Sequence, residues 1–185
     1  LVALMLPYYL GRRGVRVVHP ARGILGAFGV LTILNFLVLA FMALMSATLG
    51  WVPESWPMIL GVIAVIAAAG AATYQFFLVT FGRKVGGVFA AGLFALGVMV
   101  FGGVWPVAAI PRPLSVVHPL HPMAYAKDAF TRATDGFYDT TFWTGMGVLV
   151  VTALLALLAS QAVFRARHLG TARIVDEHLF RAKST

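Results

Sequence analysis

Apolar residues in this chain fall in long unbroken windows rather than at strand or amphipathic-helix intervals. Four windows carry no charge: Gly23 to Pro53, Ser55 to Gly82, Val85 to Pro111 and Thr140 to Phe164. Each exceeds the ~20 residues that a helix needs to cross a bilayer core. Leu, Ala, Val and Gly run together in them without the period-2 alternation of a barrel strand. A backbone in lipid must satisfy its own polar groups, so the windows predict helices. The expected spans are Gly23–Leu49, Met58–Gly82, Val85–Val104 and Phe142–Phe164. A shorter apolar stretch, Leu1–Leu10, stops at Gly11-Arg12-Arg13. As a helix it would reach ~15 Å, about half the core, and is expected to be the end of a span that begins upstream.

Between the third and last windows the pattern changes. Pro106, Pro111, Pro113, Pro119 and Pro122 each remove a backbone donor and disfavour helix at the preceding residue, yet Val107–Ile110 and Leu114–Val117 are apolar. A re-entrant or interface-lying excursion over residues 105–137 reconciles the two, because irregular backbone at membrane depth must be buried in protein. From Pro122, a residue suited to a first helical position, Tyr125, Ala129 and Ala133 fall on one stripe. Lys127, Asp128, Thr131 and Arg132 are polar, and Gly136 suits an end. An amphipathic helix over Pro122–Asp135 is expected at the external surface.

Within the spans, small and polar residues predict helix contacts. Ala64, Ala68 and Ala72 repeat at spacing four, and Gly82, Gly86 and Ala90 continue a small-residue ladder that lets backbones approach. The turn Gly82-Arg83-Lys84 is short enough to make its flanking spans antiparallel neighbours. Asn35, mid-span, needs a partner on another helix. Gly102 and Gly103 are expected to let the third span bend.

Composition agrees: of 185 residues 61% are hydrophobic and 11% charged, with mean hydropathy +0.91, where a soluble domain carries about 25% charged residues. The net charge of +8 suits either nucleic acid or a membrane topology, and its placement decides. One set of alternate loops holds Arg12, Arg13, Arg16, Arg22, Arg83, Lys84, Arg165, Arg167, Arg173, Arg181 and Lys183 against Asp176 and Glu177. The other holds Arg112, Lys127 and Arg132 against Glu54, Asp128, Asp135 and Asp139. That asymmetry is the positive-inside pattern. It predicts a multi-pass cell-membrane protein with the basic loop 11–22 and the tail 165–185 in the cytoplasm, and no nucleic-acid partner. The tail from Gly170 is expected to be partly helical or frayed.

Catalytic chemistry finds little to stand on. There is no cysteine, so thiolate sites are excluded. His118 and His121, three apart and each followed by Pro, have no acid close in sequence to complete a metal shell. All six acids lie outside the spans or at their edges, so no carboxylate proton relay is expected. No cofactor, metal or enzymatic activity is predicted.

The order of these parts resembles a known family. The passage Val104-Trp105-Pro106 to Pro111, followed by His118-Pro119-Leu120-His121-Pro122-Met123-Ala124-Tyr125-Ala126-Lys127-Asp128-Ala129-Phe130, is similar to the "NP-hydrophobic-x-PMTYAVDGLR" stretch of the YhgE/Pip (phage infection protein) family. His118 stands where Asn is usual, and Ala124 where Thr or Ser is usual. The carboxy-terminal membrane region of that family is in turn similar to the permeases of type-2 ABC exporters. The resemblance implies a span and a large extracellular domain upstream of residue 1, and a homodimer or a larger membrane complex. It also implies a role for the loop of Arg12, Arg13, Arg16 and Arg22 in meeting a cytoplasmic ATPase.

The reading is therefore an all-α, polytopic membrane bundle: four complete spans in residues 23–164, a partial span over 1–10 and an external helical excursion before the last span. Its expected function is that of a permease-like subunit of an export or secretion assembly, with Gly102, Gly103, Trp105, Pro106, Pro111, Pro122 and Tyr125 at an external gate. The competing reading is a membrane anchor or surface receptor that holds an extracellular domain and moves nothing.

Overall fold

A computed structural model describes residues 20–101 and 121–183, with side chains described over 23–100 and 121–167. Among the described residues all regular structure is helical: α1 (Pro20–Thr48), α2 (Trp56–Phe81), α3 (Arg83–Leu96) running into a π-helical turn (Gly97–Phe101), α4 (Pro122–Thr134) and α5 (Thr140–Lys183). Four stretches are long and apolar enough to cross a membrane: Gly23–Thr48, Trp56–Phe81, Arg83–Val100 and Thr140–Arg167. They match the four expected spans within a few residues, as expected when hydrocarbon thickness and not a local propensity sets the length of a helix.

The most enclosed of these helices is α2, with 39% of its apolar window buried against 11% for α1 and 17% for α5. Toward its start Ile59, Val62 and Ile63 are buried with Ala43 of α1, Ala129 and Ala133 of α4, and Phe142 of α5. Further along, Ala69 and Ala72 join Ala126, Leu149 and Ala153. Large exposed side chains such as Ile33, Phe41, Met42, Leu154 and Leu158 cover the outside. In lipid such a surface costs nothing, and small residues inside set how close the helices come.

Both ends of the bundle are tied by polar groups. At the basic end, Gln75 of α2 donates Nε2–H to the Ile24 carbonyl at 2.9 Å. Arg167 of α5 donates to the Thr80 carbonyl at 2.6 Å. Gly82, at φ +78° and ψ 174°, turns the chain in a conformation open to glycine alone. Gly86 then packs on the Phe77 carbonyl, whose carbon would lie 2.7 Å from an added Cβ. This closes the antiparallel pair of α2 and α3, in which Phe77, Phe81 and Phe89 stack at centroid separations of 5.3–6.5 Å.

At the opposite end Trp51 stacks on Phe130 at 5.8 Å and meets Trp56 edge-on at 5.9 Å. The Glu54 N–H donates to the Thr134 carbonyl. Asp139 accepts the Phe142 N–H at 3.0 Å through Oδ1, a side-chain cap on the start of α5. Its other oxygen lies 3.4 Å from Arg132, both side chains being more than a third exposed. The cap outweighs so exposed an ion pair, which is worth about 0–1 kcal/mol. Asp139→Ala should cost about 1 kcal/mol in thermal unfolding while Asp139→Asn, which keeps an accepting oxygen, should cost less; equal losses would transfer the credit to the ion pair.

The helix that carries the last span continues beyond Phe164 and runs unbroken to Lys183, so the tail expected to be partly helical or frayed is helical as far as that residue; Arg165–Lys183 contains no proline and tolerates its lone Gly170. Of the two placements expected for the excursion, interface-lying and re-entrant, α4 fits the second: it runs along α5 instead of across the end of the bundle.

Candidate functional site

The helix α4 stands upright against α5, antiparallel to it. Ala133 shares a cluster with Phe142. Gly145 faces Ala129, whose Cβ would be 3.2 Å from a Cβ at 145, with the Tyr125 carbonyl oxygen at 3.0 Å. Ala126 shares its cluster with Leu149 and Ala153. From Ala133 to Ala126 and from Phe142 to Leu149 are seven residues each, so over this stretch α4 follows α5 for ~10 Å at 1.5 Å per residue. An amphipathic helix was expected here from its polar and apolar positions, within an excursion read as re-entrant or interface-lying. Size decides between the two: Ala124, Ala126, Ala129 and Ala133 are buried and let the backbone of α4 seat on Gly145. The stripe read from sequence holds at Ala129 and Ala133, with Tyr125 half-buried at its start.

Both ends of α4 are fixed by its own sequence. At the start, His121 is buried and its Nδ1 accepts the Met123 N–H at 3.2 Å, so it caps the helix that Pro122 opens. Sequence reasoning missed this role because His is not among the common capping residues. The ring also fills the space left by Gly97, where an added Cβ would sit 2.6 Å from His121 Cε1. The π-helical turn begins at that glycine, and Val100 within it packs on Ala124 and Met123. At the end, Gly136 at φ +74° lets the Phe137 N–H return to the Arg132 carbonyl at 2.9 Å, the six-to-one bond of a Schellman stop.

Seated this way, α4 turns its other face outward. Lys127, Asp128, Thr131 and Asp135 are exposed. With Arg132, Phe137 and Thr141 they line a groove of about 390 Å³. Lys127 and Asp128 are level with Gly145, two residues inside Trp143 along α5. Cα–Cβ bonds tilt toward a helix's start, so both side chains lean toward the middle of the bundle.

Of the other sequence-derived site residues, Ala72 is fully buried in the α2 core, and Ala64 and Ala68 are half-buried. Asn35 Nδ2 lies 4.0 Å from where a Cβ on Gly70 would be, which puts it beside α2. Pro122 and Tyr125 open α4. Gly82 and Gly86 form the α2–α3 turn. Arg12, Arg13, Arg16, Gly102, Gly103, Trp105, Pro106 and Pro111 lie outside the described residues, as does the side chain of Arg22. The sequence-stated bend at Gly102–Gly103 therefore falls just beyond the π-helical turn.

No family model matches the chain, and neither the curated proteins nor the solved structures provide a match.

Proposed function

We propose that the chain is a permease-like membrane subunit of an export or secretion assembly, with the polar face of α4 lining a hydrated vestibule. One observation carries this reading. Lys127 and Asp128 are charged and exposed on a helix that descends among lipid-length spans. Both lie within the length of the α5 span, about 3 Å inside Trp143, where ionisable side chains turn to water or protein rather than to acyl chains. A pure anchor has no need of a half-helix with one charged face. The resemblance to the YhgE/Pip family and to type-2 ABC exporter permeases supports the same reading. It adds a homodimer around the vestibule, a cytoplasmic ATPase at the Arg12–Arg22 loop, and a basic end turned to the cytoplasm of a cell-membrane protein.

The chain has no cysteine, so single cysteines can report directly. In intact cells, Asp128→Cys and Thr131→Cys should react with a membrane-impermeant thiol reagent added outside, while Leu154→Cys, exposed on the apolar surface of α5, should not. Asp128→Cys and Thr131→Cys as inert as Leu154→Cys would remove the vestibule and leave the anchor.

A further inference from the structure

The α2–α3 turn brings basic side chains and a stack of rings together at one corner. Arg83 and Lys84 are both exposed at the very start of α3. Directly beside them the rings of Phe77, Phe81 and Phe89 stack nearly parallel, with interplanar angles of 8–21°. Phe81 and Phe89 are nonetheless 46% and 56% exposed, and Val85 and Val88 next to them 52% and 74%. The corner is fixed at three points: Gly82 sets the turn, Gly86 sits on the Phe77 carbonyl, and the Arg167–Thr80 bond brings α5 to the same level. The side-chain-described acids, Glu54, Asp128, Asp135 and Asp139, all lie at the opposite end of the bundle. The corner thus presents positive charge over an aromatic and aliphatic shelf, at the boundary where a span of lipid length ends.

We infer that this corner is a binding site for one anionic phospholipid. The phosphodiester is drawn to Arg83 and Lys84, and the upper part of an acyl chain lies on Phe81, Val85 and Phe89. The chemistry selects this occupant. A soluble phosphate has no use for the ring shelf. A zwitterionic lipid meets the shelf, but its own cation offsets the attraction of the two basic side chains. Each basic residue near a membrane surface contributes about 1 kcal/mol toward anionic lipid, so the pair should favour it by roughly thirtyfold. The inference rests on the membrane reading alone and not on the permease proposal, so the two can fail separately.

The test is native mass spectrometry of the purified chain released from nanodiscs that contain phosphatidylglycerol and phosphatidylcholine in equal amounts. The parent should retain one phosphatidylglycerol in preference to phosphatidylcholine. Arg83→Gln/Lys84→Gln should lose that preference by at least about tenfold, whereas Arg83→Lys should keep it. Phe89→Ala should weaken retention of the same lipid without changing which headgroup is preferred. Three results would overturn the inference: undiminished phosphatidylglycerol preference in the double variant, equal retention of both lipids by the parent, or displacement of the lipid by millimolar inorganic phosphate. Insertion of each variant is checked by its retention in the membrane fraction after alkaline extraction, so a misinserted protein is recognised as such.

Discussion

Gly86→Val is expected to leave no stably folded protein. An added Cβ at 86 meets backbone, not a movable side chain: the Phe77 carbonyl carbon at 2.7 Å and Leu78 Cα at 3.0 Å. Overpacking costs about 1–3 kcal/mol where neighbours can yield. A carbonyl already committed to its helix cannot yield, so even Gly86→Ala should reach the upper end of that range, and valine should exceed it. Glycines at 61 and 92 have nothing within 4 Å of an added Cβ. Alanine there should be neutral or gain up to about 1 kcal/mol of helix propensity. The folded fraction after heating in detergent decides between them. Gly86→Ala as stable as Gly61→Ala would mean that α2 and α3 do not meet as closely as described.

The second large effect is at Gly145. Leucine there should push α4 off α5, because a Cβ would lie 3.0 Å from the Tyr125 carbonyl oxygen and 3.2 Å from Ala129 Cβ. A penalty of about 1–3 kcal/mol shifts the seated-to-displaced ratio by one to two orders of magnitude. The readout is a cysteine at Ala129, a position that is fully buried. Ala129→Cys should resist thiol reagents in the parent and react on the order of tenfold faster or more when Gly145→Leu is added. Gly147→Leu, which meets nothing within 4 Å, serves as the comparison. Equal reactivity in all three would contradict the seat.

How much of this could be read from the residues alone depends on which force set each feature. Lipid thickness is a blunt, long-range constraint, and it made the spans beginning near Gly23, Ser55, Val85 and Thr140 legible to within a few positions. Proline and glycine act locally and in known ways, so the limits of α4 at Pro122 and Gly136 were legible too. The tilt of α4 was left between two placements. It depends on Gly145 and Ala129 finding each other across two helices, and a small residue in a greasy span says only that something approaches it. Likewise Asn35 announced a need for a neighbour, but Gly70, the bare patch it lies against, carries no chemical signature. His121 was legible as a candidate ligand and not as a cap, because its Nδ1 has no fixed vocation until Met123 is placed beside it. The gate residues from Gly102 to Pro111 stay with the expectation that named them.

The upright α4 bears on the way the chain is made. A thirteen-residue helix bearing Lys127, Asp128 and Arg132 is too short and too charged to partition from the translocon by itself. Part of its seat, Ile59, Val62, Ala69 and Ala72 of α2, is made before it, but Gly145 and Leu149 leave the ribosome after it does. Synthesis order and assembly order therefore part company at this one hairpin, and a ribosome stalled before Gly145 is expected to hold α4 with one wall of its seat missing.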